Sequence, residues 1–417
     1  MNILFLNTSD YLGGAAIAAR RLSNALNKEH VKVVTIVRDK KGTDFDIIAT
    51  HQSPILAYNF LSERIKIWVS NLFTKKNLFA VSIANRGSSI VNQPEFKNAD
   101  IIHLHWINQG FLSLKEIGKI IESGKPIVWT MHDMWPITGI CHHARSCIKY
   151  TEQCENCPFL VRNKSKDLSF QVFEKKKEIY SKGKINFVGC SNWLTQKAKN
   201  SNLTIEQNII NIPNPIDTEK FQPINTEKCR KHFGLPIGHK LILFGAAKTT
   251  NERKGIQYFI NACLELIQTT TTPVSVVLYG KDSEQLREAL PLPTYPLGYI
   301  SDESELIMLY NAVDTFVLPS LEENLPNSIM EAMSCGTPCV GFDIGGIPEL
   351  IDHLHNGYIA QYKSSTDLAQ GIRWVIENNI DQGLSQQARR KVINTFSENL
   401  LAQKYISLYN QIIDKER

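Results

Sequence analysis

Short apolar runs alternate with helix-period stretches along most of the chain, the alternation expected of parallel sheets covered by helices on both faces. In the first half NILFLNT, VKVVTIV, DIIHLH, PIVWTMH and NFVGCS have the length and branched apolar content of buried strands. The pattern begins afresh with KLILFGA and continues through VSVVLYG, TYPLGYI, DTFVLPS and PCVGF, each followed by a helical pattern. Between the two series lies IINIPNPIDTEKFQP, residues 209–223, whose three prolines and asparagines discourage regular structure and suit a hinge. The fold class predicted is α/β, with two doubly wound, Rossmann-like parallel-sheet domains. There is no internal repeat or low-complexity segment.

Size agrees, since 417 residues are long for one core and divide naturally into two domains of about 200 residues. Apolar residues make up 43% and charged residues 21%, ordinary globular usage. A net charge of +5 is too mild to imply a nucleic-acid partner. No apolar run reaches the roughly 20 residues of a membrane span, and MNILFLNTSD reads as a strand rather than a signal peptide. A cytoplasmic protein is the expectation.

The chemistry concentrates in residues 320–349. After the strand DTFVLPS come a loop containing ENLPN and a helix, SIMEAMSCG, stopped by Gly336. Glu323 therefore stands at a strand's carboxyl end and Glu331 inside the next helix. In an open α/β sheet ligands bind at that edge, where loops and helix N-termini converge. A helix cap plus a solvated carboxylate would give the same spacing. The strand PCVGF and a Gly345–Gly346 turn into Pro348 and Glu349 suit a further helix start.

Phosphate recognition needs free N–H groups or fixed cations, and each half offers one. Gly13 and Gly14 end the first strand and precede AAIAARRLSNAL, so the turn can aim a helix N-terminus at an anion, or simply be a strand-to-helix turn. Lys248, Arg253 and Lys254 follow the strand that opens the second half; a solvated basic loop is the plain alternative. His105 and His132 punctuate strand ends in the first half, with His103 two residues deeper on the face of His105. Each could be a hydrogen-bonded structural histidine. His132 and its neighbour Asp133 are secondary candidates for positioning an acceptor.

The 320–349 run resembles the E-x7-E element of retaining GT-B glycosyltransferases of family four, the glycosyl transferases group 1. The 209–223 stretch resembles the PNGVD-x-x-x-F connector of that family, with Pro215 where glycine is common. The resemblance implies two domains facing a cleft: an acceptor-side domain over 1–213, a nucleotide-sugar domain over 214–396, and a helix over 397–417 crossing back to the first. It implies that Glu323 faces the donor sugar, Glu331 holds the ribose, and Arg253 and Lys254 neutralise the diphosphate, with Lys248 in a slot often filled by arginine. His105, in H-L-H, would touch the donor sugar or its phosphate. Pro326 replaces a common glycine and has no N–H to offer a sugar hydroxyl, so Asn324, Leu325 or Asn327 would have to supply that contact.

The reaction so implied moves a hexosyl group from a nucleotide-diphosphate sugar to a saccharide or lipid-linked acceptor, with retention, in bacterial surface polysaccharide synthesis. Cations and N–H groups can stabilise the departing diphosphate, and no clear D-x-D element stands in a strand-end loop to bind a metal, which favours catalysis without one. A front-side route, with a donor phosphate oxygen accepting the acceptor's proton, is the expected mechanism. A sugar-nucleotide epimerase of GT-B fold is the alternative enzyme, and a non-catalytic GT-B-like binding partner the alternative class.

Cys141, Cys147, Cys154 and Cys157 crowd into residues 141–157, a C-x5-C-x6-C-x2-C spacing. In a reducing compartment thiols so placed can wrap a structural zinc or remain free. The cluster resembles a cysteine-rich insert of a bacterial polysaccharide-type subset of the family. Finally, SPILAYNFLSERIKIWVSNLFTKKNLF, residues 53–79, mixes apolar residues with Arg64, Lys66, Lys75 and Lys76. It reads either as a helix pair covering the first sheet or as a surface for anionic lipid, a peripheral membrane contact.

Overall fold

The computed structural model describes residues 1–50 and 53–416. The chain forms two compact units, Met1–Pro215 with Asn399–Arg417, and Ile216–Glu398. In the first, β1 (Asn2–Ser9), β2 (Lys32–Asp39), β3 (Ile47–Ala49), β4 (Ile101–Leu104), β5 (Ile127–Met131), β6 (Asn186–Gly189) and β7 (Asn208–Asn211) make one parallel sheet in the order β3-β2-β1-β4-β5-β6-β7. In the second, β8 (Lys240–Lys248), β9 (Val274–Lys281), β10 (Thr294–Pro296), β11 (Thr315–Leu318), β12 (Cys339–Phe342) and β13 (Gly357–Ala360) make another, in the order β10-β9-β8-β11-β12-β13. Central strands such as β4, β11 and β12 are buried at every residue, which is why they read as unbroken apolar runs.

Both faces of each sheet are covered. On one face of the first sheet Trp129 stacks on Phe187 among Phe111, Ile117 and Phe173. On the other, Leu401, Tyr405 and Tyr409 of the helix Glu398–Glu416 pack with Phe5, Leu26 and Val188. The second core joins Phe244 and Phe259, ring centroids 5.0 Å apart, to Val317, Val340 and Ile372.

Several local expectations change. The start of the presumed irregular linker is β7, which pairs with β6. TYPLGYI contributes only three strand residues, Thr294–Pro296, although Leu297 N–H still donates to the Leu278 carbonyl at 2.8 Å. The short strands β3 and β13 carried too few residues to show a period. Residues 53–79 hold one helix, Ser53–Ser70, rather than two; positive φ at Leu72, Phe73 and Asn77 turns the chain before a second can form. β1 ends at Ser9, four residues before Gly13, and Lys248 closes β8 instead of following it.

The topology itself marks two places. Strand order reverses between β1 and β4 in the first sheet and between β8 and β11 in the second. At such a switch point adjacent loops leave in opposite directions and open a crevice at the carboxyl edge.

Candidate functional site

The second unit's switch point gathers three of the expected residues. The loop after β8 carries Arg253 and Lys254; the loop after β11 carries Glu323. Lys254 Nζ lies 2.6 Å from Glu323 Oε2, both side chains largely shielded, and Ser320 Oγ donates to the same oxygen at 3.2 Å. Arg253 Nη1 donates to the carbonyl of Glu322 at 2.7 Å, while its own carbonyl accepts from Leu321 N–H at 2.8 Å.

Two glycines permit this closeness. Gly255, at φ +74, caps the helix Ile256–Thr269, and an added Cβ would stand 1.8 Å from the Pro319 carbonyl oxygen. Gly345, at φ +62, lies equally close to the carbonyl oxygen of Glu323, and Gly346 N–H donates to Asn324 O at 2.7 Å. The Gly-Gly turn after β12 is thus a buttress beneath the Glu323 loop.

Glu331 is buried in the helix Asn327–Ser334, and its Oε2 accepts from the Tyr310 hydroxyl at 3.0 Å; that hydroxyl lies 3.2 Å from the one on Tyr279. Burial and Glu331 raise both phenol pKa values, with Tyr279 raising Tyr310 further and the Tyr310 hydrogen bond only partly opposing the rise at Tyr279, so the pair orients the carboxylate without ionising. Neither tyrosine carries a sequence signal, since both meet Glu331 only through the fold. Lys248 does not join Arg253 and Lys254: mostly exposed, it pairs with Asp282 at 3.3 Å. Asn324 and Leu325 are buried, whereas Asn327 is half-buried at the helix start. A cavity of about 650 Å³ in this unit, lined by Asp314, Pro338 and Arg389, lies at the amino ends of β11 and β12, away from these loops.

In the first unit the switch-point loops bring His105 and Gly13 to one sheet edge. Gly13, at φ +91, precedes the helix Gly14–Lys28; no side chain caps that helix, and nothing lies within 4 Å of where a Cβ would stand. His105 Nδ1 is 3.1 Å from His132 Nε2, its ring stacks on His103 at 4.3 Å, and its Nε2 is buried with no hydrogen-bond partner among the described residues. Asn108 Nδ2, in the same loop, is buried and orphaned too, a candidate that one asparagine in a loop could not announce. His103 is structural. It bonds Tyr409 at 2.7 Å and Thr130 at 2.8 Å, and Thr130 bonds Tyr405 at 2.9 Å.

Burial lowers the pKa of His103 and His105, and neighbouring histidines lower both further. His132 falls to about 4, by burial against the partial opposition of Asp133. Asp133 is engaged on both oxygens, from Trp106 Nε1 and His142 Nδ1 at 2.7 Å and from Trp135 N–H at 2.8 Å. Burial pushes its pKa up, but His142, His143 and the Trp135 N–H outweigh it and hold the carboxyl at about 2. His142 continues to Ser82 Oγ at 3.0 Å, so Asp133 locks this loop from within.

Cys141, Cys147, Cys154 and Cys157 line one cavity of about 20 Å³. All are free thiols. Gly139 N–H donates to Cys154 Sγ at 3.2 Å. Burial raises all three buried thiols, Cys154 to about 12 and Cys157 to about 11. As the side chains stand, no three His, Cys, Asp or Glu among the described residues are placed to hold a metal ion. Below them Lys176, fully buried, donates to the carbonyls of Trp135 at 2.6 Å and Thr138 at 2.9 Å.

Two parallel α/β sheets, each with polar groups at its switch point, define the GT-B class of fold. Solved structures of that class align along the whole chain. A sucrose-phosphate synthase from Thermosynechococcus elongatus matches with TM-score 0.67 and 16% identity over 100% of both chains. Anabaena Alr3699/HepE in complex with UDP-glucose matches with TM-score 0.64 and 16% identity, over 99% of this chain and 100% of that one. By sequence, residues 238–378, within the second unit, match the family model for glycosyl transferases group 1. The chain is 29% identical over 203 residues, 48% of its length and 53% of the relative's, to N,N'-diacetylbacillosaminyl-diphospho-undecaprenol alpha-1,3-N-acetylgalactosaminyltransferase of Campylobacter jejuni. It is 26% identical over 211 residues, 48% of its length and 54% of the relative's, to UDP-Gal:alpha-D-GlcNAc-diphosphoundecaprenol alpha-1,3-galactosyltransferase of Escherichia coli. In these matches the chain spans about half the length of the relatives.

Proposed function

We propose that the chain is a retaining glycosyltransferase that moves a hexosyl group from a nucleoside-diphosphate sugar to a saccharide or lipid-linked saccharide, without a catalytic metal. The observation that carries this is the contact of Arg253 and Lys254 with the Glu322–Glu323 loop at the switch point of the second sheet. A departing diphosphate gains charge as the anomeric bond breaks, so fixed cations there stabilise the transition state more than the bound donor. Lys254, paired with Glu323 in the free protein, is the cation a diphosphate would compete for, leaving the carboxylate beside the sugar. Glu331, with one oxygen already oriented by Tyr310, suits the ribose hydroxyls. His105 is assigned to the donor's sugar or phosphate because a buried, unpartnered ring nitrogen asks for a ligand. Gly13 and Gly14 are assigned to an anion because they open the helix Gly14–Lys28 at the sheet edge. Lys248 contributes charge from the rim, and Asn324 and Leu325 shape the sugar loop.

The names of both relatives describe sugars linked to diphospho-undecaprenol, which supports a lipid-linked acceptor and a role in bacterial surface polysaccharide synthesis. The setting that follows is the cytoplasm, at the membrane's inner face. The deciding experiment is turnover of a panel of nucleotide sugars with lipid-linked acceptors by wild type and by Arg253→Ala/Lys254→Ala. A loss on the order of a hundredfold or more is expected from removing charge stabilisation; turnover within a few-fold of wild type would overturn the assignment.

For the four cysteines we propose a structural zinc, supported by their convergence on one cavity. Protein kept reduced from lysis onward should carry about one equivalent of metal and lose it to a chelator. Metal-free protein of unchanged thermal stability would reject the zinc.

A further inference from the structure

The helix Ser53–Ser70 wears its amphipathicity inside out. Its buried side chains include Asn59, Glu63 and Arg64, with Ile67 the apolar one that joins the first core. Glu63 accepts from the N–H groups of Ile83 at 2.7 Å and Ala84 at 2.8 Å and pairs with Arg64 at 2.7 Å. Arg64 in turn donates to the carbonyls of Leu78 at 2.6 Å and Val81 at 3.1 Å. These bonds fasten the helix through its polar side. On the other side Tyr58, Leu61, Ile65 and Val69 recur at i, i+3, i+7 and i+11, and each is between 48% and 56% exposed. Leu72, 45% exposed, and Phe73, 62% exposed, extend the apolar surface past the helix end. A helix facing water ordinarily buries its apolar stripe and exposes its charges.

The charges around the stripe have one sign. Residues 53–86 contain five cations, Arg64, Lys66, Lys75, Lys76 and Arg86, against one carboxylate, Glu63, which is buried and paired with Arg64. Lys66, Lys75 and Lys76 are exposed, and none pairs with a carboxylate among the described residues. Arg86 lies 4.9 Å over the Tyr58 ring and bonds Ser62 at 3.0 Å, so a cation is fixed to the edge of the stripe.

We propose that this face is a docking surface for an anionic lipid bilayer, with the stripe at the headgroup boundary and the lysines on the lipid phosphates. Charge complementarity selects that occupant. A second copy would set lysine against lysine with no exposed carboxylate in the segment to answer them, and nucleic acid would meet a row of apolar side chains. An apolar face edged by Lys and Arg is what a negatively charged membrane interface accepts. Among the described residues no helix is long and apolar enough to cross a membrane, so the contact is peripheral. The inference stands independently of the transfer reaction.

The test is flotation of the full chain with phosphatidylcholine vesicles and with vesicles one-third phosphatidylglycerol. Wild type should float with the anionic vesicles and be released by high salt. Ile65→Ser/Val69→Ser should abolish flotation, and Lys66→Gln/Lys75→Gln/Lys76→Gln should weaken it on the order of a hundredfold, from roughly fivefold per cation. All five positions are exposed, so circular dichroism and thermal midpoints should match wild type. Failure of wild type to float overturns the proposal, as does unchanged flotation of the variants. A dimer in sedimentation that Ile65→Ser/Val69→Ser dissolves, without lipid binding, would assign the face to a second copy instead.

Discussion

Gly345→Ala tests the site's construction more sharply than removal of any charged group, because it leaves every chemical group in place. At Gly345 φ is +62, and a Cβ would stand 1.8 Å from the carbonyl oxygen of Glu323. Carbon and oxygen approach ordinarily to roughly 3.3 Å, so the turn and the Glu323 loop must part by roughly 1.5 Å. The Lys254–Glu323 contact is 2.6 Å, and a displacement of that size takes the carboxylate out of hydrogen-bond reach. Gly234 is the control, with φ +63 and nothing within 4 Å of the added carbon. Both alanine variants meet the left-handed backbone cost of about 1–2 kcal/mol. Only Gly345→Ala adds an overpacking cost of about 1–3 kcal/mol, or several degrees of additional loss in thermal midpoint. Since roughly 1 Å of misplacement can cost about a hundredfold in rate, Gly345→Ala should also lower nucleoside diphosphate release by about that factor while Gly234→Ala does not. Equal midpoints and equal turnover for the two variants would refute the buttress.

Glu331→Gln should weaken nucleotide binding in calorimetry while the thermal midpoint stays near wild type, because the amide can still accept from Tyr310; unchanged affinity would remove the ribose role. Stability should fall in acid through the histidine cluster. The folded-state pKa of His132 is depressed to about 4, with His103 and His105 depressed as well, whereas unfolded histidines protonate near 6.5. Their contribution is therefore complete above about pH 6.5 and is lost as pH falls toward 4, by up to about 1.4 kcal/mol per pH unit per histidine. Denaturant titrations across that range should show the slope, and His132→Gln should make it shallower; a flat profile would contradict neutral burial.

Much of this protein follows from sequence because its strands are buried on both faces. β1, β4, β8, β11 and β12 are legible as apolar runs for that reason, and Glu323, Arg253 and Lys254 are legible because loops after such strands stand at a sheet's carboxyl edge. Short edge strands were not: β3, β7 and β13 hold three or four residues each and exist through hydrogen bonds to a neighbour. Partners far apart in the chain were likewise beyond reach. Tyr409 meets His103 across 306 positions, Lys254 meets Glu323 across 69, and Tyr310 orients Glu331 from the preceding helix. Lys248, adjacent in sequence to the cationic loop, pairs with Asp282 because β8 runs two residues further than the apolar pattern KLILFGA shows. The inverted helix Ser53–Ser70 makes the division clearest. Residue spacing placed apolar and basic side chains on a helix, but which side faces the core depends on where Glu63 and Arg64 find their backbone partners. Local periodicity decides that an element forms, whereas burial and pairing are properties of the whole chain packed against itself.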